Sequence, residues 1–107
     1  MIGEYAFAVC GFKTFHFNQV KNLANGVLSN CHNLETVTIP NSVVSINKNV
    51  LFNNPKLKTI LVETTEPPFV DGIFYWNKEQ VNVFIPATAM DTYKSTPFWK
   101  DLKLNSY

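Results

Sequence analysis

The segment Val20–Pro40 recurs when it is moved forward by 23 positions, and this internal repeat is what most limits the folds open to the chain. Val20 falls on Val43, Leu23 on Ile46, Val27 on Val50 and Leu28 on Leu51. Leu34 falls on Leu57, Val37 on Ile60 and Ile39 on Val62, so seven apolar positions meet apolar residues. Only the position of Cys31 changes class, where it meets Asn54. Moving backward, Ile2, Ala6, Phe7 and Cys10 match Leu23, Val27, Leu28 and Cys31 at an offset of 21. Phe12, Phe15 and Phe17 match Leu34, Val37 and Ile39 at an offset of 22. Residues 1–62 therefore read as about two and a half units of about 23 residues, and 63–107 as a different C-terminal stretch of the same domain.

The unit has a physical consequence. Leu34-x-x-Val37-x-Ile39 puts apolar residues at period two on a short strand that ends at Pro40. Val43-x-x-Ile46 starts the return path, and Val50-Leu51 packs a turn or short helix on the opposite side. A coil this short cannot bury its own apolar edge, so successive coils must stack, with their strands in a parallel ladder and like residues in inward columns. The expected fold class is an α/β repeat solenoid with a parallel strand ladder and a C-terminal cap. The register predicts that Asn54 takes the inward place of Cys31 and spends its amide on turn backbone. Cys10 and Cys31, one coil apart, are expected as buried thiols rather than a disulfide, because neighbouring parallel strands seldom offer bridge geometry.

Composition removes several function classes. Nine basic residues, all lysine, face eight acidic ones for a net charge of +1, so no bulk field draws nucleic acid or anionic lipid. The absence of arginine weighs further against phosphate or guanine recognition, and the sparse charge predicts weak salt dependence of any contact. No apolar run approaches the roughly 20 residues of a membrane helix, so this segment is not expected to insert. Nothing behind Met1 reads as a signal peptide. There is no phosphate loop, nucleophile elbow or His-Glu-x-x-His pair, and neither cysteine has a partner at zinc-ligand spacing. No catalytic, metal-binding or cofactor-binding residue is assigned, and the chain is not expected to be an enzyme.

After Val62 the register looks lost. Thr64-Thr65-Glu66-Pro67-Pro68 reads as an extended linker, and Val83-x-Ile85-Pro86 as one last strand beside the ladder. Thr88 is the expected N-cap of a short helix through Met90 and Tyr93, and Thr96-Pro97 of a second one leading into Phe98-Trp99. Phe69, Phe74, Trp76, Phe84, Tyr93, Phe98 and Trp99 supply the bulk to cover the open end of the stack.

These residues resemble the BspA-type leucine-rich repeat, whose unit reads roughly Val-x-x-Ile-Gly-x-x-Ala-Phe-x-x-Cys-x-x-Leu-x-x-Val-x-Ile-Pro. Ile2-Gly3-Glu4-Tyr5-Ala6-Phe7-Ala8-Val9-Cys10 matches its first part and Cys31 to Pro40 its second. Phe15 and Phe17 stand in for aliphatics, Asn18 for proline and Asn54 for cysteine. Because Ile2 falls in mid-unit, the chain is expected to be part of a longer array. The resemblance implies a non-catalytic module for protein recognition or adhesion, in a cell-surface or secreted protein of bacteria. The implied partner is a protein, such as a host or extracellular matrix protein; the oligomeric state is left open. The alternative is a purely structural terminator of a longer array.

If the chain binds a partner itself, strand alternation selects the candidate face. With Phe15, Phe17, Val37, Ile39, Ile60 and Val62 inward, one outward row is Thr14, Thr36, Thr59 and Asn82, and the next is His16, Thr38, Leu61 and Phe84. Threonine pairs suit any sheet, whereas Leu61 and Phe84 mark either a contact patch or a surface covered by the cap.

Overall fold

The computed structural model describes residues 13–17, 19–23, 27, 30–47, 50, 54–70 and 80–107. Two parallel ladders run side by side along the stack. Strands β1 (Thr14–His16), β3 (Thr36–Ile39), β5 (Thr59–Val62), β7 (Asn82–Ile85) and β8 (Lys103–Ser106) form a five-stranded sheet in the order β1-β3-β5-β7-β8. Strands β2 (Asn22–Leu23), β4 (Ser45–Ile46) and β6 (Phe69–Val70) form a three-stranded sheet in the order β2-β4-β6. The return path beginning at Val43 is thus itself a short strand in each coil.

The repeat dictates the core. Val20 and Val43, Leu23 and Ile46, Val27 and Val50, Leu34 and Leu57, Val37 and Ile60, and Ile39 and Val62 are all buried. Each pair is one coil apart, so every column continues the apolar surface of its neighbour. The sequence equivalences at Ile2, Ala6, Phe7, Cys10, Phe12, Leu28 and Leu51, and the aromatic residues Phe74 and Trp76, lie outside the described residues. Cys31 is buried.

Asn54 behaves as the register requires. Its Oδ1 accepts a hydrogen bond from the Cys31 backbone N–H at 2.7 Å, across one coil. Its own carbonyl accepts from the Leu57 N–H at 3.1 Å, as the Cys31 carbonyl does from Leu34 at 3.1 Å. The same turn is built twice, and in the later coil an amide joins it to the earlier one. Asn54→Ala leaves the Cys31 N–H without that acceptor, and is expected to cost about 1–3 kcal/mol in denaturant unfolding.

The C-terminal stretch departs from expectation in four places. First, the register survives past Val62: Phe69-Val70 pairs with Ser45-Ile46 at a spacing of 24. One inserted residue, not a change of fold, hides it. Second, β7 is not the last strand, because β8 pairs with it in parallel from Asn82↔Lys103 to Ile85↔Ser106. Third, Thr88 is not an N-cap. A 3₁₀ turn over Ala87–Ala89 starts from Pro86, whose carbonyl accepts the Ala89 N–H at 2.9 Å, and the helix α1 (Met90–Lys94) follows directly. Fourth, the Thr96 hydroxyl donates back to the Thr92 carbonyl at 2.7 Å, closing α1 instead of opening a new helix. The chain reverses at Phe98, whose φ of 72° is a strained value for a bulky side chain, and a 3₁₀ turn follows over Trp99–Asp101.

The cap is held by two buried aromatic residues. Tyr93 donates its hydroxyl to the Thr64 carbonyl at 2.7 Å, and Trp99 its indole N–H to the Pro68 carbonyl at 3.0 Å. The rings meet edge to face, 5.2 Å between centroids. The Pro-rich segment is therefore fastened at both ends by the cap; between them it bends at Thr65 and Glu66, where the Thr64 hydroxyl accepts the Glu66 N–H at 3.2 Å, instead of running extended as the sequence suggests. Phe69, by contrast, is 68% exposed and does not cover the end of the stack.

Burial, with the nearby Tyr107 adding to it, holds the Tyr93 phenol well above its ordinary value of 10.0. The unfolded phenol ionises first as pH rises, so this stabilisation is complete below about pH 10 and is lost above it. Alkaline unfolding followed by circular dichroism should show a steep fall in stability above pH 10. Tyr93→Phe should flatten that fall, while costing about 1–3 kcal/mol at neutral pH through the Thr64 carbonyl.

Candidate recognition face

Strand pairing brings all eight outward candidates into the two expected rows. Thr14 pairs with Thr36, Thr36 with Thr59 and Thr59 with Asn82. His16 pairs with Thr38, Thr38 with Leu61 and Leu61 with Phe84. Thr14, His16 and Asn82 are exposed, while Thr36, Thr38, Thr59, Leu61 and Phe84 are half-buried. The cap leaves apolar surface of Leu61 and Phe84 on the face. At strand spacings of about 4.8 Å, five strands make a strip about 19 Å long, with rows about 7 Å apart.

Two members of the rows escaped sequence reasoning. Strand β8 adds Lys103 to the first row and Asn105 to the second. The Asn105 amide donates to the Asn82 side-chain oxygen at 3.5 Å and to the Lys103 carbonyl at 3.2 Å. The available signal was Leu102-x-Leu104, an alternation without the Ile-Pro ending carried by the other coils.

The margins of the face are charged. Before the strands begin, Glu35 takes Lys58 Nζ at 3.1 Å on one oxygen and Lys13 Nζ at 3.7 Å on the other. The hydrogen bond from Lys58, reinforced by the charges of Lys58 and Lys13, holds the Glu35 carboxyl below its ordinary value. Beyond the strand ends, Glu63 Oε1 stands 3.7 Å from His16 Nε2, a contact that is an ion pair only when the imidazole is protonated. Tyr107 closes that margin, donating its hydroxyl to the Val62 carbonyl at 2.9 Å. Burial and the Glu63 charge raise its phenol.

The Lys13–Glu35–Lys58 row ends at the cap. Its register partners there, Val81 and Leu102, are buried. Gln80, in line with Leu34 and Leu57, closes their column with a side-chain amide that donates to the Leu57 carbonyl at 2.7 Å and the Pro55 carbonyl at 2.9 Å. Among the described residues no group of His, Cys, Asp and Glu could hold a metal ion, and no helix is long and apolar enough to cross a membrane.

This face can present hydroxyls, a short apolar step and opposite charges at its two edges, a surface suited to docking. A family model described as a BspA type leucine-rich repeat region, in six copies, matches residues 1–107. No curated protein matches the sequence.

Proposed function

We propose, because the chain belongs to the BspA-type leucine-rich repeat family, that its five-stranded face recognises another protein. The family assigns the coarser role, a repeat module for protein interaction. The finer reading is a non-catalytic adhesion or recognition module of a bacterial cell-surface or secreted protein, with a host or extracellular matrix protein as partner. One observation carries it: eight outward side chains from four successive strands lie in two unbroken rows. Regular outward rows of this kind are what solenoids use for binding. Leu61 and Phe84 add an apolar anchor where the partner's side chain would be shielded from water.

The test is binding to a panel of immobilised extracellular matrix proteins, with wild type beside a Thr38→Lys/Leu61→Lys variant. Both sites are outward and half-buried, so the variant should melt within a few degrees of wild type. The expected result is wild-type binding that weakens at least tenfold in the variant. Equal binding by the variant, or no binding by wild type to any member of the panel, favours the second reading, a structural terminator. The observation behind that reading is the cap itself, in which Tyr93 and Trp99 are buried and fasten the last return segment.

A further inference from the structure

The overall charge of +1 conceals a separation of charge across the proposed face. On the side where the strands begin, a concavity of about 350 Å³ is lined by Lys13, Asn33, Glu35 and Lys56, with Lys58 beside it. Glu35 is occupied by two of these lysines, whereas Lys56 is exposed and makes no ion pair among the described residues. On the side where the strands end, a second concavity of about 360 Å³ is lined by Asn41, Glu63, Thr64 and Glu66, with Val44 and Pro68 of the return path, and no lysine contributes to it. Between the two margins lie the threonines and Leu61.

We propose that the partner docks an extended segment across the face, with a carboxylate over Lys56 and Lys58, an apolar side chain on Leu61, and a cation at Glu63. This deepens the protein-recognition reading above and rests on it. The spacing follows from the strand. Side chains on one side of an extended segment recur every second residue; Glu63 lies two residues beyond Leu61, and the point between Lys56 and Lys58 lies four residues before it, about 13 Å at an extended rise. The partner motif is therefore acidic-x-x-x-apolar-x-basic. A polyanion fits poorly, because it would run from the lysines onto Glu63 and Glu66. Opposite charges at opposite edges also fix the direction of docking, since a rotated segment would set like charges together.

The chemistry makes contact salt-dependent in a way the net charge hides. Exposed pairs are screened within roughly 10 Å at 0.1 M salt, so affinity should fall as salt is added. At the acidic end His16 Nε2 faces Glu63 at 3.7 Å, with Tyr107 beyond it, so the partner's cation would approach Glu63 from its exposed side.

The probe is the blocked heptapeptide Asp-Ser-Ser-Ser-Leu-Ser-Lys, titrated to millimolar concentration against the labelled chain and followed by amide chemical shifts. Controls are the peptides with two Asp or two Lys ends, and heparin as the polyanion. The expected result is that the mixed peptide binds tightest, moves the amides of β3 and β5, and weakens at least fivefold in Lys56→Glu. In that variant the peptide with two Lys ends should gain. Tighter binding by heparin, or an unchanged mixed-peptide affinity in Lys56→Glu, overturns the charge assignment. A Leu61→Lys control separates the two levels. If it abolishes binding while Lys56→Glu does not, the face binds but its margins do not select. If neither matters, or no peptide binds, the face reading fails with the proposal.

Discussion

Trp99→Ala should lower stability by about 3–5 kcal/mol, the range for truncating a buried aromatic residue to alanine. The loss has three sources. The indole is fully buried, it donates to the Pro68 carbonyl at 3.0 Å, and it packs edge to face on Tyr93 and on Phe98, at 5.2 and 5.4 Å between centroids. Removing it leaves a cavity beneath the cap and a buried carbonyl without its donor. For a domain of this size a loss of 3–5 kcal/mol lowers the melting temperature by roughly 12–40 °C. Hydrogen exchange should show α1 and β8 opening first, because a solenoid unfolds from an unprotected end. Trp99→Phe, which keeps most of the volume and loses the N–H, should recover more than half of the melting temperature. A Trp99→Ala variant that melts within two degrees of wild type would remove this residue from the account of the cap.

Leu57→Ala should cost about 2–5 kcal/mol, and its exchange signature should differ. Leu57 is buried in the middle of the stack, in line with Leu34 and closed off by Gln80. A cavity there faces both neighbouring coils, and sheet contacts on either side share the loss. Protection should fall together across β3, β5 and β7, without the preference for the C-terminal end seen after Trp99→Ala. Net stabilities of domains are about 5–15 kcal/mol, so either substitution removes a large share. If Leu57→Ala frayed only the cap, the columns would not be the shared core described above.

The two rows and the inward columns were legible because the offsets of 22 and 23 between the first four strands are the offsets of the strand pairing itself. Period-two alternation then decides which side chains face outward, and no tertiary information is needed. Strand β6 was hidden by one extra residue, with the apolar spacing replaced by Thr64-Thr65-Glu66-Pro67-Pro68. That segment bends at Thr65 and Glu66 and is held because the cap takes its Thr64 and Pro68 carbonyls, a long-range cause that local reading cannot supply. Strand β8 sits at an offset of 21 and lacks the terminal proline, so its register is set by packing on β7. The Thr88 and Thr96 caps failed for a local reason: Pro86 had already begun the turn, and the Thr96 hydroxyl closes α1. The charged margins were invisible to composition, because lysines before the strands and glutamates after them cancel in the sum.

The claim that the five-stranded face is the recognising surface has a direct test in site-specific photo-crosslinking. A photoreactive side chain is placed at Thr38, in the middle of that face, or at Asn22, which is exposed on the three-stranded sheet. Each variant is irradiated with the matrix protein that binds wild type. A crosslink from Thr38 and none above background from Asn22 is expected. A crosslink from Asn22 with none from Thr38 would contradict the claim and move recognition to the other sheet.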